Sequence, residues 1–151
     1  MTVSILDFGF GNLNSVYNTI DYLGFDCKIT NDESYIKAST HIILPGVGSY
    51  KGAMDKIKKN DSDLLYEQVH IKKKPFLGIC IGMQILSTTG DEFFVSKGLN
   101  WIEGDVVKIE NEKLPHIGWN NIVIKKNSYL TKNLDDESSF YFVNSYHFKP
   151  K

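Results

Sequence analysis

The sequence predicts an α/β protein with a mostly parallel sheet and helices on both faces. Four short apolar runs, at residues 3–8, 25–30, 41–44 and 76–79, alternate with segments of helical periodicity. These runs are apolar throughout, which is typical of parallel strands that are covered on both faces. From about residue 98 the pattern changes to strands joined by turns, at 101–110, 118–125 and 140–148. We therefore expect an antiparallel extension in the C-terminal third.

The helices are predicted from the spacing of apolar residues and from the residues that interrupt it. A helix over 13–23 follows the first strand and is expected to end at Gly24. Segments 52–59 and 64–71 are also predicted to be helical, and a further helix is expected over 82–87. The third strand is expected to stop where Pro45-Gly46 interrupts the apolar run.

Length and composition indicate one globular domain without a nucleic-acid or membrane partner. The chain has 151 residues, 42% apolar and 23% charged, with a formal net charge of -1. The N-terminus lacks a basic, cleavable signal, and no apolar run is long enough to span a bilayer. We therefore expect a cytoplasmic protein, and we interpret the lysines at 72–74 as a solvated loop rather than a binding patch.

The cysteines and histidines do not form a metal-binding pattern. Cys27 and Cys80 are the only cysteines, no CxxC motif is present, and the four histidines lack ligand spacing. Without a secretion signal, a disulfide is not expected either. We therefore expect no metal and no cofactor.

A glycine-rich turn follows the first strand. The segment GFGNLN, residues 9–14, resembles the dinucleotide fingerprint GxGxxG, and the acidic pair Asp32-Glu33 lies at a suitable distance. The third glycine of that fingerprint is Asn14 here, which weakens the nucleotide hypothesis. A tight strand-to-helix turn, capped by Asn12 or Asn14, is the simpler interpretation. The same loop could instead be presented to a partner.

The segment GICIG, residues 78–82, is the thiol form of the nucleophile elbow GxSxG. On such a turn Cys80 projects from the sheet at the start of a helix, where the partial positive charge favours thiolate. The backbone N–H of Ile81 would then point toward a tetrahedral oxyanion. The alternative is an ordinary buried thiol, which is the interpretation we give to Cys27.

A second glycine loop ends the third strand. The segment LPGVGS, residues 44–49, lies where the carboxyl ends of parallel strands form a site. Its two glycines permit unusual peptide orientations, so the N–H of Val47 or Gly48 could be a second oxyanion donor. A plain turn is the alternative.

Together these segments resemble class I glutamine amidotransferases, and among them the glutaminase subunit of imidazole glycerol phosphate synthase. The matching segments are DFGFGNLNSV at 7–16, LPGVG at 44–48, GICIGMQ at 78–84, and PHIGWN at 115–120 with YFVNSY at 141–146. The resemblance spans essentially the whole chain. It implies a flavodoxin-like α/β fold and one amidotransferase domain over residues 1–151.

The resemblance implies hydrolysis of L-glutamine to glutamate and ammonia, with Cys80 forming a glutamyl thioester. Gln84 would contact the bound glutamine, and the backbone of Ser145 and Tyr146 would hold its α-amino and carboxylate groups. The alternatives are a solvent-facing helix residue for Gln84 and plain strand pairing for Ser145 and Tyr146. Val47 and Gly48, with Ile81, would form the oxyanion hole.

The resemblance also implies a heterodimer with a (β/α)8-barrel cyclase that uses the ammonia in histidine biosynthesis. The residues implied at the interface are Gly9, Phe10, Gly11, Asn12, Trp119 and Asn120. From the sequence alone, a half-buried packing residue is the favoured interpretation of Trp119. Asn144 stands where the family often has histidine, which favours a paralogue that supplies a partner amidating a surface sugar.

The sequence lacks the family's segment for the general base that would act with Cys80. In the family, the catalytic histidine and glutamate lie in a later segment like FHPEKS, which this sequence lacks. His147 has no acidic residue beside it that could orient its imidazole. We therefore expect a chain that is incomplete at its C-terminus and has little glutaminase activity. A non-catalytic partner subunit and a different cysteine-elbow hydrolase are the rival hypotheses.

Overall fold

The computed structural model describes residues 1–110 and 113–151, which divide into two compact units. The first unit contains residues 1–107 and 148–151, and the second contains residues 108–147. Among the described residues, no helix has both the length and the apolar character needed to cross a membrane.

The first unit begins with alternating strands and helices, as the sequence predicts. The elements in chain order are β1 (Thr2–Leu6), α1 (Leu13–Tyr22), β2 (Asp26–Thr30), α2 (Glu33–Ala38), β3 (His41–Gly46), α3 (Tyr50–Lys56), α4 (Lys59–Tyr66), a π-helical turn (Glu67–Ile71), β4 (Phe76–Cys80) and α5 (Ile81–Gln84).

The first sheet has four parallel strands in the order β2-β1-β3-β4. Its central strands β1 and β3 are almost wholly buried, because helices cover the apolar side chains on either side. Val3, Ile5 and Ile43 form a core against which the apolar side of α1 packs. The predicted α/β class with a parallel sheet is confirmed.

Side-chain caps set the helix starts. Asn12 Oδ1 accepts a hydrogen bond from the Ser15 N–H at 3.4 Å and so caps α1. Asp32 Oδ1 accepts from the Tyr35 N–H at 2.7 Å and caps α2, a helix that the sequence analysis missed. The tight-turn interpretation of residues 9–14 is therefore confirmed, and Asp32 has a structural role in α2.

The lysine run at 72–74 contains one structural residue. Lys74 Nζ donates to the carbonyls of Ile36 and Lys37 at 2.9 and 2.7 Å, at the C-terminus of α2. A cation there satisfies carbonyls that lack a helical partner. Burial lowers the pKa of Lys74. The solvated-loop interpretation holds for Lys72 and Lys73, which are exposed, but not for Lys74.

A second sheet follows the elbow. It contains β5 (Thr89–Glu92), β6 (Phe94–Lys97), β7 (Gly104–Lys108) and the last strand β10 (Tyr146–Pro150), in the order β10-β7-β5-β6. Strands β5 and β6 form an antiparallel hairpin, whereas β5 and β7 are parallel. The antiparallel extension is thus present, but it begins earlier than predicted and includes one parallel pair.

The second unit is built on one antiparallel hairpin. Strands β8 (His116–Asn121) and β9 (Ser139–Asn144) pair from His116↔Asn144 to Asn121↔Ser139. Ile117 and Trp119 lie directly opposite Val143 and Tyr141, so these four side chains share one face. All four are exposed.

Candidate active site

Cys80 lies on a sharp strand-to-helix turn. It is the last residue of β4 and the N-cap of α5, with φ 53° and ψ −115°. A non-glycine residue in this region of backbone space costs about 1–3 kcal/mol and persists only where the surroundings impose it. Its thiol is free and exposed. The buried-thiol alternative for Cys80 is therefore wrong.

Close backbone approach explains the glycines on either side of Cys80. A Cβ on Gly82 would lie 1.9 Å from the Leu44 carbonyl oxygen, and one on Gly78 would lie 2.6 Å from the Gly82 oxygen. A Cβ on Gly46 would lie 2.6 Å from the Gly82 nitrogen. Real Cβ atoms do not approach backbone this closely. The three glycines let α5 begin directly against the ends of β3 and β4.

The predicted oxyanion loop is next to the elbow. Strand β3 continues through Pro45 to Gly46, which pairs with Cys80. The strand was expected to stop before Pro45-Gly46, so the prediction was two residues too short. The loop that follows has Val47 54% exposed and Gly48 at φ +105°. Ser49 Oγ then accepts from the Gly52 N–H at 3.2 Å and caps α3. The structure therefore brings Val47, Gly48 and Cys80 to one edge of the sheet.

The residues that follow Cys80 are buried. Ile81 packs its side chain into the core, and its backbone begins α5. Gln84 is 7% exposed at the end of the same turn. The solvent-facing alternative for Gln84 is therefore wrong.

Ser145 and Tyr146 lie in the second unit, where β9 passes into β10. The Ser145 carbonyl accepts from the Ile109 N–H at 2.9 Å, and the Tyr146 carbonyl accepts from Asn144 Nδ2 at 3.0 Å. Both carbonyls thus have partners within their own unit. Their assignment to glutamine binding stays a prediction.

The two histidines of the first unit belong to other elements than the elbow. His41 begins β3, and its Nδ1 lies 2.9 Å from Thr40 Oγ1. At about 3.3 Å per residue, this is roughly 16 Å from the Gly46 end of that strand. His70 lies on the π-helical turn, stacked on Tyr66 and edge-on to Trp101.

The two other histidines belong to the second unit. His116 Nε2 lies 3.0 Å from Asn120 Nδ2, and the ring lies 5.7 Å from Phe142. His147 is the second residue of β10 and is half-buried. His147 as the base stays a hypothesis.

Cys27 has the environment of a structural cysteine. It lies in β2, is half-buried, and its Sγ donates to the Tyr17 carbonyl at 3.8 Å. Burial, with the nearby carboxylates of Asp21 and Asp26, raises the pKa of the Cys27 thiol. A raised pKa disfavours the reactive thiolate.

The predicted interface residues differ in exposure. Gly9 and Asn12 are exposed, and the Gly9 carbonyl accepts from Lys56 Nζ, whereas Phe10 is buried and Gly11 is half-buried. Phe10 therefore packs into the first unit and could offer a partner little of its side chain. In the second unit Asn120 is exposed and Trp119 is 71% exposed, so the packing alternative for Trp119 is wrong.

A polar group at the end of the predicted oxyanion loop was not expected from the sequence. The Tyr50 N–H donates to Glu92 Oε2 at 2.6 Å, and the Tyr50 hydroxyl lies 2.8 Å from Ser87 Oγ. The sequence signal for this group was a tyrosine directly after PGVGS. Its partners lie about 40 residues later in the chain, which periodicity does not reveal. In residues 1–110 and 113–151 no acidic, histidine or cysteine cluster could hold a metal ion.

The elbow, the glycine loop and the parallel sheet define the class. The family model described as glutamine amidotransferase class-I matches residues 4–151. The chain therefore belongs to the class-I glutamine amidotransferase family.

Curated relatives are similar over nearly the whole chain. A Campylobacter jejuni protein named imidazole glycerol phosphate synthase subunit HisH 1 is 42% identical, covering 99% of this chain and 76% of that protein. Subunit HisH 2 of Vibrio vulnificus is 39% identical, covering 96% of this chain and 70% of that protein. The resemblance found in the sequence is confirmed. The names of these relatives make each of them one subunit of a synthase.

Solved structures support the fold. A Thermoplasma acidophilum protein superposes with a TM-score of 0.71 at 18% identity, over 98% of this chain and 66% of the other. A glutamine amidotransferase superposes with a TM-score of 0.62 at 17% identity, over 79% of this chain and 62% of the other.

Proposed function

We propose that this protein is a glutaminase subunit that hydrolyses L-glutamine and delivers ammonia to a (β/α)8-barrel cyclase. The observation that carries the proposal is the exposed Cys80, held at φ 53° on a turn that three glycines make possible. A strained, exposed thiol beside a glycine loop is the geometry of an activated nucleophile. The match to the glutamine amidotransferase family supports glutamine as the substrate, and the similarity to named HisH subunits supports a second synthase subunit as the partner.

The chemistry has two steps. The Cys80 thiolate adds to the side-chain amide carbon of glutamine, the C–N bond breaks, and protonated nitrogen leaves as ammonia. Water then adds to the thioester carbonyl, and the C–S bond breaks to release glutamate and the thiol. In both steps negative charge develops on the carbonyl oxygen. The backbone N–H of Ile81 and one from Val47 or Gly48 would stabilise that charge.

We propose neither His41 nor His70 as the proton acceptor. His41 is at the far end of β3, and His70 packs with Trp101 beside Phe76, the first residue of β4. Cys80 is the last residue of that strand, about 13 Å away at 3.3 Å per residue.

Covalent labelling tests the proposed function. We expect a glutamine-shaped chloroketone to alkylate Cys80 at least about tenfold faster than it alkylates Cys27, because only Cys80 has an exposed thiol beside oxyanion donors. Peptide mass spectrometry would locate the adduct. Cys80→Ser should abolish the labelling, and the matched variant Cys27→Ser should retain it. Equal labelling of both cysteines would instead favour a non-catalytic subunit.

The second unit supplies the proposed docking face. Trp119 stands beside Tyr141 with ring centroids 5.6 Å apart, and Ile117 with Val143 extends the same exposed face. Exposed aromatic clusters of this kind are typical binding hot spots. We propose that this face of the second unit contacts the barrel cyclase.

Removing the Trp119 ring tests the docking face. Trp119→Ala is expected to weaken binding to the cyclase of the same organism by about 2 kcal/mol, roughly 30-fold, as for a hot-spot aromatic. Calorimetric titration would measure the two dissociation constants. Tyr129→Ala is the matched control, because Tyr129 is in the same unit, fully exposed and outside the hairpin. Equal affinities of the two variants would contradict this assignment.

A further inference from the structure

Tyr50 is a buried tyrosine directly after the oxyanion loop. It begins α3 and is only 1% exposed. Its ring fills a slot that two later glycines leave open. A Cβ on Gly90 would lie 2.5 Å from the ring, and one on Gly98 would lie 2.2 Å from the hydroxyl oxygen. The slot therefore admits a tyrosine here only because both facing residues lack side chains.

The polar atoms of Tyr50 are both engaged. Ser87 Oγ donates its proton to the Thr89 carbonyl at 2.9 Å, so the Tyr50 hydroxyl is the donor toward Ser87 at 2.8 Å. The Tyr50 N–H donates to Glu92 Oε2 at 2.6 Å. Burial raises the pKa of the Tyr50 phenol, so the hydroxyl keeps the proton that it donates.

These bonds join the two segments that form the active site. Ser87 lies in the segment that carries Cys80 and α5, and Tyr50 lies at the end of the loop that carries Val47 and Gly48. At the other end of that loop, Gly46 pairs with Cys80 in the sheet. The loop is thus tied at both ends to the segment that bears the nucleophile.

We infer that Tyr50 is a positioning residue for the oxyanion hole. Its buried hydrogen bond to Ser87 fixes how far the loop N–H groups lie from the Cys80 thiol. Tyr50 does not touch the reacting atoms. It acts through the loop, because oxyanion donors stabilise charge only when they are held at hydrogen-bond distance. This inference rests on the proposed function, since it assigns those N–H groups to an oxyanion hole.

The test compares two electrophiles in a Cys27→Ser background, so that only Cys80 is labelled. A glutamine-shaped chloroketone places its carbonyl in the oxyanion hole, whereas iodoacetamide needs only the thiolate. In Tyr50→Phe the chloroketone rate constant divided by the iodoacetamide rate constant is expected to fall about tenfold. The iodoacetamide rate constant itself should stay within about twofold of the parent value. Ser87→Ala removes the same bond and also the Ser87 bond to the Thr89 carbonyl, so the ratio is expected to fall at least as far. Adding Tyr50→Phe to Ser87→Ala should lower the ratio no further, because the Tyr50–Ser87 bond is already absent.

Ile36→Val is the stability-matched control. Ile36 is fully buried in α2, and truncating it removes core packing without touching the loop. Its rate ratio should stay at the parental value. The inference is overturned if Tyr50→Phe and Ser87→Ala keep the parental ratio, or if Ile36→Val loses as much as they do. A parent protein that the chloroketone labels no faster than iodoacetamide does would overturn the proposed function itself, and the inference with it.

Discussion

Gly82→Ala is expected to lower the free energy of unfolding by about 3 kcal/mol or more. Gly82 lies in α5, where helix propensity alone would favour alanine over glycine by about 1 kcal/mol. The new Cβ would lie 1.9 Å from the Leu44 carbonyl oxygen and 2.9 Å from its carbon. Leu44 belongs to β3, a central strand of the first sheet, so it cannot retreat without breaking pairs with Gly78 and its neighbours. Overpacking against fixed backbone therefore outweighs propensity.

Gly24→Ala is the matched control for this prediction. A Cβ on Gly24 would meet no described atom within 4 Å, and the cost there comes only from its φ of +79°. That cost is about 1 kcal/mol. Urea denaturation of both variants would give the two free energies of unfolding. A Gly82→Ala protein as stable as Gly24→Ala would show that α5 does not press against β3.

The parts of the fold that follow local rules could be predicted from the sequence. The buried strands, the cap at Asn12 and the motif of the elbow can each be recognised from residues within about five positions of one another. The contact with Leu44 that requires Gly82 is distant along the chain and could not be recognised in this way. Asp32 carried the signal for α2, since it precedes a helix and caps it. The sequence analysis assigned that aspartate to a nucleotide hypothesis and overlooked the cap.

The remaining differences depend on contacts that are distant along the chain. The helix expected over 82–87 ends at Gln84, because the carbonyls of Ile85 and Leu86 accept from Leu99 and Trp101 at 2.8 Å. Tertiary hydrogen bonds thus replace helical ones. Strand β3 continues through Pro45 because β1 pairs with it only as far as Ile43. Beyond that point β3 has one neighbouring strand, so the missing proline N–H costs little.

The backbone at Cys80 provides the second large prediction. Cys80→Gly is expected to abolish chloroketone labelling at this position and to make the protein more stable than Cys80→Ala by about 1 kcal/mol. Labelling is lost because the nucleophile is gone. Stability rises because glycine adopts φ 53° and ψ −115° without the steric cost that any side chain incurs there. Alanine keeps that cost, so the difference between the two variants measures the strain at the elbow.

Cys27 supplies the control for the sign of that difference. It lies within an ordinary parallel strand, where glycine is less stable than alanine by about 0.5–1 kcal/mol. The glycine variant should therefore be the less stable of the two at position 27 and the more stable of the two at position 80. Thermal or urea denaturation of the four proteins would measure these stabilities. If Cys80→Gly proves less stable than Cys80→Ala, the elbow holds no strain. The predicted ordering would show that the cysteine at position 80 lowers the stability of the fold, because only glycine adopts that backbone conformation without steric cost. A packing role for Cys80 would not explain such a cost.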